Sequence, residues 1–112
     1  MSSIPNTAES RRARRMAATC HLSFVGPEEL RGQAQVLDIS TTGCRAESET
    51  AVEVGMEFQI SIFLADFSWP LRIDRAVVRW VDGYTFGLEF DVILPAQRER
   101  LRQLIMKGKP LA

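Results

Sequence analysis

Short segments with alternating apolar and polar residues run through most of the chain. The clearest is Glu57 to Leu64, where Phe58, Ile60, Ile62 and Leu64 would share one face of a strand. Alternation with a period of two is typical of a β-strand that buries one face and exposes the other. Less regular stretches of the same kind predict five further strands, over residues 19–25, 31–39, 43–47, 71–81 and 84–90.

The strand predicted for residues 31–39 decides where one acidic side chain points. A strict period of two places Asp38 on the same face as Ala34 and Val36, and places Leu37 on the other face. The same rule applied to residues 71–81 places Trp80 among the core side chains. We therefore expect Trp80 to be buried, with an exposed indole as the alternative.

Local signals between and after the strands complete the fold prediction. Asp82-Gly83 favours a type I′ hairpin turn between the last two strands, because these residues tolerate positive φ angles. From Pro95 the apolar spacing becomes helical, and Gly108 and Pro110 end the helix. The predicted fold is all-β with a C-terminal helix, a six-stranded antiparallel β-barrel closed at one end. The apolar stripe of the helix consists of Leu101, Leu104 and Ile105.

Length and composition indicate one small globular domain. The chain has 112 residues, 46% of them hydrophobic, which is enough for one core and too few for two ordinary domains. We expect a flexible lead over residues 1–10, a domain over 11–108 and a tail over 109–112. The lead contains no apolar run typical of a signal peptide, and no stretch is long enough to span a membrane, so we expect a cytoplasmic protein.

Charge and cysteine content exclude several classes of function. Fourteen basic and fourteen acidic side chains cancel, so no global field attracts nucleic acid, and any anion preference must be local. Cys20 and Cys44 form no disulfide framework, and we expect both to be reduced. Cys20 and the single histidine, His21, would point to opposite faces of a strand, so we expect neither a metal site nor catalysis.

The local basic charge lies just before the first predicted strand, from Arg11 to Arg15. Four of these five residues are arginines, and repulsion among them should keep the segment extended or mobile until an anion binds. Guanidinium groups bind phosphate through a planar fork and can donate to O6 and N7 of guanine. An isolated run of this kind is more often a solvated basic patch.

A second candidate site lies in the turn from Asp38 to Gly43. The carboxylate of Asp38 can accept from the N1–H and N2–H₂ groups of guanine, and Ser40 offers a hydroxyl. Gly43 permits either a close backbone approach or a positive φ. Taken alone, the turn is again more often structural, with Asp and Ser capping backbone groups. Together the arginines and the turn could bracket one guanine nucleotide.

These motifs resemble those of the PilZ domains. The family pattern is RxxxR followed by [D/N]xSxxG, and here it is matched by Arg11 to Arg15 and by Asp38 to Gly43. The stretch from Ala76 to Phe90 resembles the AxVxW and GxxF hairpin of the family. The resemblance covers about residues 9–107 and implies a noncatalytic receptor for cyclic di-GMP, a bacterial second messenger.

The resemblance also implies roles for individual residues. Arg11 and Arg15 would hold phosphate and guanine. Outside the matched positions, Arg12 would add a phosphate contact or stay solvated, and Trp80 would offer a stacking face if it is not part of the core. The arginine segment would close onto the barrel when the ligand binds. The ligand-reading turn would be formed by Asp38, Ser40 and Gly43.

Two other functions remain open at this point. One is a PilZ-like protein-interaction adaptor that does not bind nucleotide, and the other is nonspecific binding of single-stranded nucleic acid by a small barrel. The neutral net charge disfavours the second. A short, single-domain receptor of this kind would act through a downstream protein partner or through dimerisation, and the sequence leaves the partner unidentified. Ligand stoichiometry and oligomeric state are also open.

Overall fold

A computed structural model describes residues 15–64 and 69–107, and these form a closed six-stranded barrel followed by a helix. The strand order around the barrel is β1-β2-β3-β6-β5-β4, and every neighbouring pair is antiparallel. The predicted six-stranded antiparallel fold with a C-terminal helix is confirmed. The elements are β1 Arg15–Val25, β2 Arg31–Ser40, β3 Gly43–Glu47, β4 Glu57–Phe63, β5 Leu71–Asp82, β6 Thr85–Val92 and α1 Pro95–Lys107.

The interior of the barrel follows the predicted alternation along β4. Phe58, Ile60 and Ile62 are buried, whereas Leu64 lies just beyond the end of the strand and is only partly buried. Phe24 on β1 stacks on Phe58, with 4.5 Å between ring centroids. Offset-stacked aromatic pairs of this kind stabilise a core beyond the area they bury.

Helix α1 closes the barrel by burying Leu101 and Ile105 in the same core. Burial of one such aliphatic side chain contributes about 1.5–3 kcal/mol to stability. Polar contacts fix the start of β5 to the helix: Arg100 donates to the main-chain oxygen of Pro70, and the side-chain oxygen of Gln97 accepts from the main-chain N–H of Arg72. The predicted apolar stripe is confirmed, with Leu104 only partly buried.

Two local predictions are wrong in detail. Strand β1 begins at Arg15, four residues before the predicted start at Thr19, because its pairing with β2 continues to Ser40. The β5–β6 turn consists of Gly83-Tyr84, one residue later than predicted, since Asp82 is still paired with Thr85. Only Gly83 has a positive φ, of 64°, which is the pattern of a type II′ turn and not of type I′.

The predicted boundaries at residues 10 and 108 fall outside the described residues, so the lead, the domain limits and the tail remain predictions. No helix in the described part of the chain is long and apolar enough to cross a membrane.

Candidate functional site

Strand β2 contains a bulge immediately before Asp38. Val36 pairs with Ala46 on β3, and Asp38 pairs with Arg45, so two steps along β2 match one step along β3. A bulge of this kind adds one unpaired residue, here Leu37, and bends the strand.

The bulge reverses the inside-outside alternation for the rest of β2. Val36 and Ile39 are both fully buried, although they are three residues apart. Asp38 is therefore on the outer face of the barrel. The prediction that Asp38 shares a face with Ala34 and Val36 is wrong, because strict alternation fails where a strand carries an extra residue.

On the outer face, Asp38 forms an ion pair with Arg45. The Nε atom of Arg45 lies 3.0 Å from Oδ2 of Asp38, and the two side chains are 48% and 17% exposed. Ion pairs at such accessible positions contribute about 1 kcal/mol or less to stability. The ion pair matters more for geometry than for stability, because it restricts the orientation of the Asp38 carboxylate.

Ser40 closes the turn between β2 and β3 with its side-chain hydroxyl. Its side chain is fully buried, and its Oγ accepts from the main-chain N–H of Thr42 at 3.2 Å. The same oxygen lies 3.3 Å from the main-chain oxygen of Gly43 and 3.2 Å from Oγ1 of Thr42. This is the capping chemistry typical of a Ser in a tight turn.

Gly43 is required by a close approach between β3 and β6. A Cβ atom on Gly43 would lie 2.2 Å from the main-chain oxygen of Leu88. Its φ is not among the positive values of the described residues, so backbone freedom is not the reason for glycine here. The close approach is held by a hydrogen bond from the N–H of Phe90 to the carbonyl of Thr42, 2.8 Å long.

Trp80 is placed on the outer face by a second bulge, on β5. Val78 pairs with Leu88 on β6 and Trp80 pairs with Gly87, so Arg79 is the extra residue. The expectation that Trp80 belongs to the core is wrong, since it is partly exposed and lies outside the core cluster. As in β2, the added residue reverses the alternation.

The indole of Trp80 lies against the main chain of Gly87. A Cβ atom on Gly87 would come within 2.2 Å of the indole Nε1 and 2.5 Å of Cε2. Only glycine at position 87 leaves room for the indole of Trp80. One face of the ring is thus supported by the sheet.

The register joins these residues into one row across the outer face. Asp38 on β2 pairs with Arg45 on β3, Arg45 pairs with Gly87 on β6, and Gly87 pairs with Trp80 on β5. Three inter-strand steps of about 4.8 Å put Asp38 and Trp80 about 14 Å apart along the sheet. A carboxylate, a guanidinium and an aromatic face therefore share one surface.

The predicted arginines are only partly within the described residues. Arg15 is the first residue of β1 and pairs with Ser40, and two residues later Ala17 pairs with Asp38. The main chain of Arg15 is thus next to the turn. Arg11 and Arg12 lie outside the described residues, so the structure does not test their predicted roles.

Cys20 and His21, the residues considered for a metal site, have different surroundings in the described part of the chain. The described residues contain no group of three or more metal-ligating side chains. Burial raises the pKa of the Cys20 thiol to about 11, which disfavours a reactive thiolate. His21 is exposed and stacks on Phe63 with 4.9 Å between ring centroids.

Sequence reasoning missed Arg45 as a member of this surface, whereas Gly87 had entered only as the glycine of the GxxF pattern. Arg45 could have been found by counting across the turn, because a two-residue loop at Thr41-Thr42 pairs residue 38 with residue 45. The pairing of Gly87 with Trp80 has no comparable signal, since it depends on the bulge in β5.

Comparison with known proteins agrees with this architecture. The family model described as "PilZ domain" matches residues 9–107. The matched range includes all six strands of the barrel and the closing helix. The chain belongs to the PilZ domain family.

Solved structures with the same fold come from distant relatives. The chain is similar to the PilZ domain of YcgR from Escherichia coli, solved with c-di-GMP, at 19% identity and a TM-score of 0.70, covering 86% of this chain and 88% of that chain. It is also similar to the Bacillus subtilis inhibitor of motility (MotI/DgrA), at 22% identity and a TM-score of 0.66, covering 87% of this chain and 50% of that chain.

A further similar structure is Escherichia coli YcgR in complex with c-di-GMP, at 18% identity and a TM-score of 0.72, covering 86% of this chain and 44% of that chain. Comparison with curated proteins finds no match.

Proposed function

We propose that this domain is a noncatalytic cytoplasmic receptor for cyclic di-GMP, which binds across the row from Asp38 to Trp80 and is held by the arginines of the RxxxR segment. The observation that carries the proposal is the row itself, in which Asp38 on β2, Arg45 on β3 and Trp80 on β5 share the outer face of the barrel. Membership of the PilZ family and the fold shared with the PilZ domain of YcgR, solved with c-di-GMP, support it.

Asp38 supplies the group that distinguishes guanine from the other bases. The Watson–Crick edge of guanine presents two neighbouring donors, N1–H and N2–H₂, and an ionised carboxylate presents two acceptor oxygens. The bulge in β2 turns the Asp38 carboxylate to the outer face, where a flat base can approach it. A hydrogen bond to a charged acceptor contributes about 1.5–3 kcal/mol.

Trp80 supplies a stacking surface for a base. Its inner face rests on Gly87, so the indole is held without occupying the core. Stacking of a base on an aromatic side chain contributes about 1–3 kcal/mol per base. This role in the proposal replaces the core role expected from strict alternation.

Positive charge for the phosphates and for the acceptor edge of guanine comes from Arg11, Arg12 and Arg15. Arg15 is suited to this role because its strand position pairs with Ser40 at the turn. If residues 11–14 become ordered on binding, the backbone entropy cost is about 4–8 kcal/mol. Micromolar affinity corresponds to a net of about −8 kcal/mol, so several charge-assisted contacts must form together.

Ser40 and Gly43 act in this proposal mainly by shaping the turn that carries Asp38. The Ser40 hydroxyl is buried and lies within hydrogen-bonding distance of Thr42 and Gly43, so direct contact with the ligand stays a prediction. Closure of the arginine segment onto the barrel would convert ligand binding into a surface that a downstream protein recognises. That partner is unidentified.

Calorimetric titration with cyclic di-GMP tests the proposal. The unaltered protein should bind with a dissociation constant in the micromolar range, and Asp38→Ala or Arg15→Ala should leave no measurable heat while thermal unfolding stays cooperative. The matched control is Asp91→Ala, which removes a carboxylate ion-paired with Arg75 at 2.8 Å elsewhere on the barrel surface. That variant should bind as the unaltered protein does.

Binding by both site variants would contradict the site assignment. A protein that gives no heat with cyclic di-GMP but retains a stoichiometric protein partner in a pulldown would instead be the interaction adaptor considered from the sequence.

A further inference from the structure

Arg45 occupies the centre of the proposed ligand surface, although neither defining motif of the family includes it. It lies between Asp38 on one side and Gly87 with Trp80 on the other. Its side chain is 48% exposed, so an approaching ligand can reach it. Its contact with Asp38 uses Nε, and this is the only ion pair that joins Arg45 to another described residue.

The ion pair restricts the carboxylate that has to read guanine. The carboxylate of an Asp side chain that is not fully buried can rotate about its terminal torsion, whose energy wells are broad. In this structure a guanidinium nitrogen lies 3.0 Å from Oδ2, and both side chains project from directly paired strand positions. Guanidinium and carboxylate groups associate in defined planar arrangements, so the partner limits the carboxylate plane.

The ion pair also changes the charge that an anionic ligand meets. A lone Asp38 carboxylate would repel the phosphates of a nucleotide, whereas the pair with Arg45 is neutral. A carboxylate has about four acceptor positions on its two oxygens, so contact with one nitrogen of Arg45 occupies only one of them. Arg45 can therefore compensate the charge of Asp38 without preventing recognition by Asp38.

We propose that Arg45 is a positioning residue that orients Asp38 for the 2-amino edge of guanine and so sets the base selectivity of the site. The inference rests on the proposed function, since it assumes that Asp38 reads guanine. It predicts two separable effects of Arg45, one on the affinity for any anionic cyclic dinucleotide and one on the preference for guanine.

The test measures dissociation constants for two ligands. One is cyclic di-GMP, and the other is its analogue with both guanines replaced by hypoxanthine, which lacks the 2-amino group but keeps N1–H and both phosphates. The unaltered protein should prefer cyclic di-GMP by about tenfold or more, as expected for one hydrogen bond to a charged acceptor. Arg45→Gln should weaken the binding of both ligands and reduce the preference for cyclic di-GMP to about threefold or less.

Arg45→Lys separates charge from geometry, because lysine keeps the positive charge but lacks the planar fork. It should regain part of the affinity for both ligands while the preference for guanine stays low. Arg75→Gln is the matched control, since it breaks a comparably exposed ion pair, with Asp91, outside the row. It should change neither the affinities nor the preference.

The outcomes are distinguishable. An unchanged preference for guanine in Arg45→Gln would overturn the inference and leave the proposed function standing, and so would full recovery of that preference in Arg45→Lys. An unaltered protein that binds neither ligand would overturn both the inference and the proposed function. Thermal unfolding of each variant, which should stay cooperative, shows that the changes in binding arise in a folded barrel.

Discussion

The barrel has two tight hairpin turns whose glycines serve different physical needs. At the β2–β3 turn, Gly43 is packed so closely against β6 that a Cβ atom would lie 2.2 Å from a main-chain oxygen. At the β5–β6 turn, Gly83 has a φ of 64°, and a Cβ atom there would meet nothing within 4 Å. Glycine is required at position 43 by the close neighbouring strand, and at position 83 by the positive φ of its own backbone.

The surroundings of the two turns differ in the same way. The β2–β3 turn is held by the buried hydroxyl of Ser40 and by the hydrogen bond from Phe90 to Thr42. The β5–β6 turn is more open, with Tyr84 68% exposed, and it is held to the segment after β3 by a hydrogen bond from the N–H of Ser48 to the carbonyl of Tyr84, 2.9 Å long. The turn that carries the proposed ligand-reading residue is thus built into the barrel, which favours a fixed geometry for Asp38.

The largest effect is expected from Gly43→Ala. The new methyl group would force β3 away from β6, and overpacking of this kind costs about 3 kcal/mol. Gly43→Asn should cost more, because a larger side chain has less room. Urea denaturation, analysed with one m-value for all variants, measures the change in the free energy of unfolding for both substitutions. Equal stability of Gly43→Ala and the unaltered protein would show that the close approach is not needed.

A smaller effect is expected from Gly83→Ala, about 1–2 kcal/mol, because an L-residue pays a steric penalty at positive φ. Gly83→Asn should cost less than Gly83→Ala, since asparagine tolerates positive φ better. The order of Ala and Asn is therefore opposite at the two glycines. The same urea titration measures the stability losses of the Ala and Asn variants. If their order were the same at Gly43 and Gly83, the two turns would not differ in the way described.

The smallest stability change is expected from Ser40→Ala, about 1 kcal/mol, since the N–H of Thr42 is at an exposed residue and water can replace the lost hydroxyl. Its effect on ligand binding should be larger than this loss of stability suggests, because the turn positions Asp38. Ser48→Ala is a suitable control: it removes a similar capping hydroxyl, bound to the carbonyl of Gln33 at 2.6 Å, away from the row. Calorimetry should show weaker cyclic di-GMP binding in Ser40→Ala only.

The parts of the fold that depend on local pattern could be predicted from the sequence. Phe58, Ile60 and Ile62 show the alternation of a half-buried strand without interruption, and the structure confirms it. The helix from Pro95 likewise has its start signal and its apolar stripe in adjacent residues. In both cases the information is contained within one segment.

The orientation of the outer row could not be predicted in this way. Residues 36–40 read Val-Leu-Asp-Ile-Ser, in which the apolar residues fit either of two alternations. Whether Asp38 points inward or outward depends on the bulge, and the bulge is defined only by pairing with β3. Trp80 presents the same problem on β5, where pairing with Gly87 decides its side.

The sequence by itself determined the number of strands, the closing helix and the order of the motifs, because hydrophobic periodicity and turn residues act over a few neighbouring positions. The tertiary structure alone decided which residues share the outer surface. Bulges in β2 and β5 bring Asp38, Arg45 and Trp80 into one row, and strand register is a property of paired segments rather than of either segment alone.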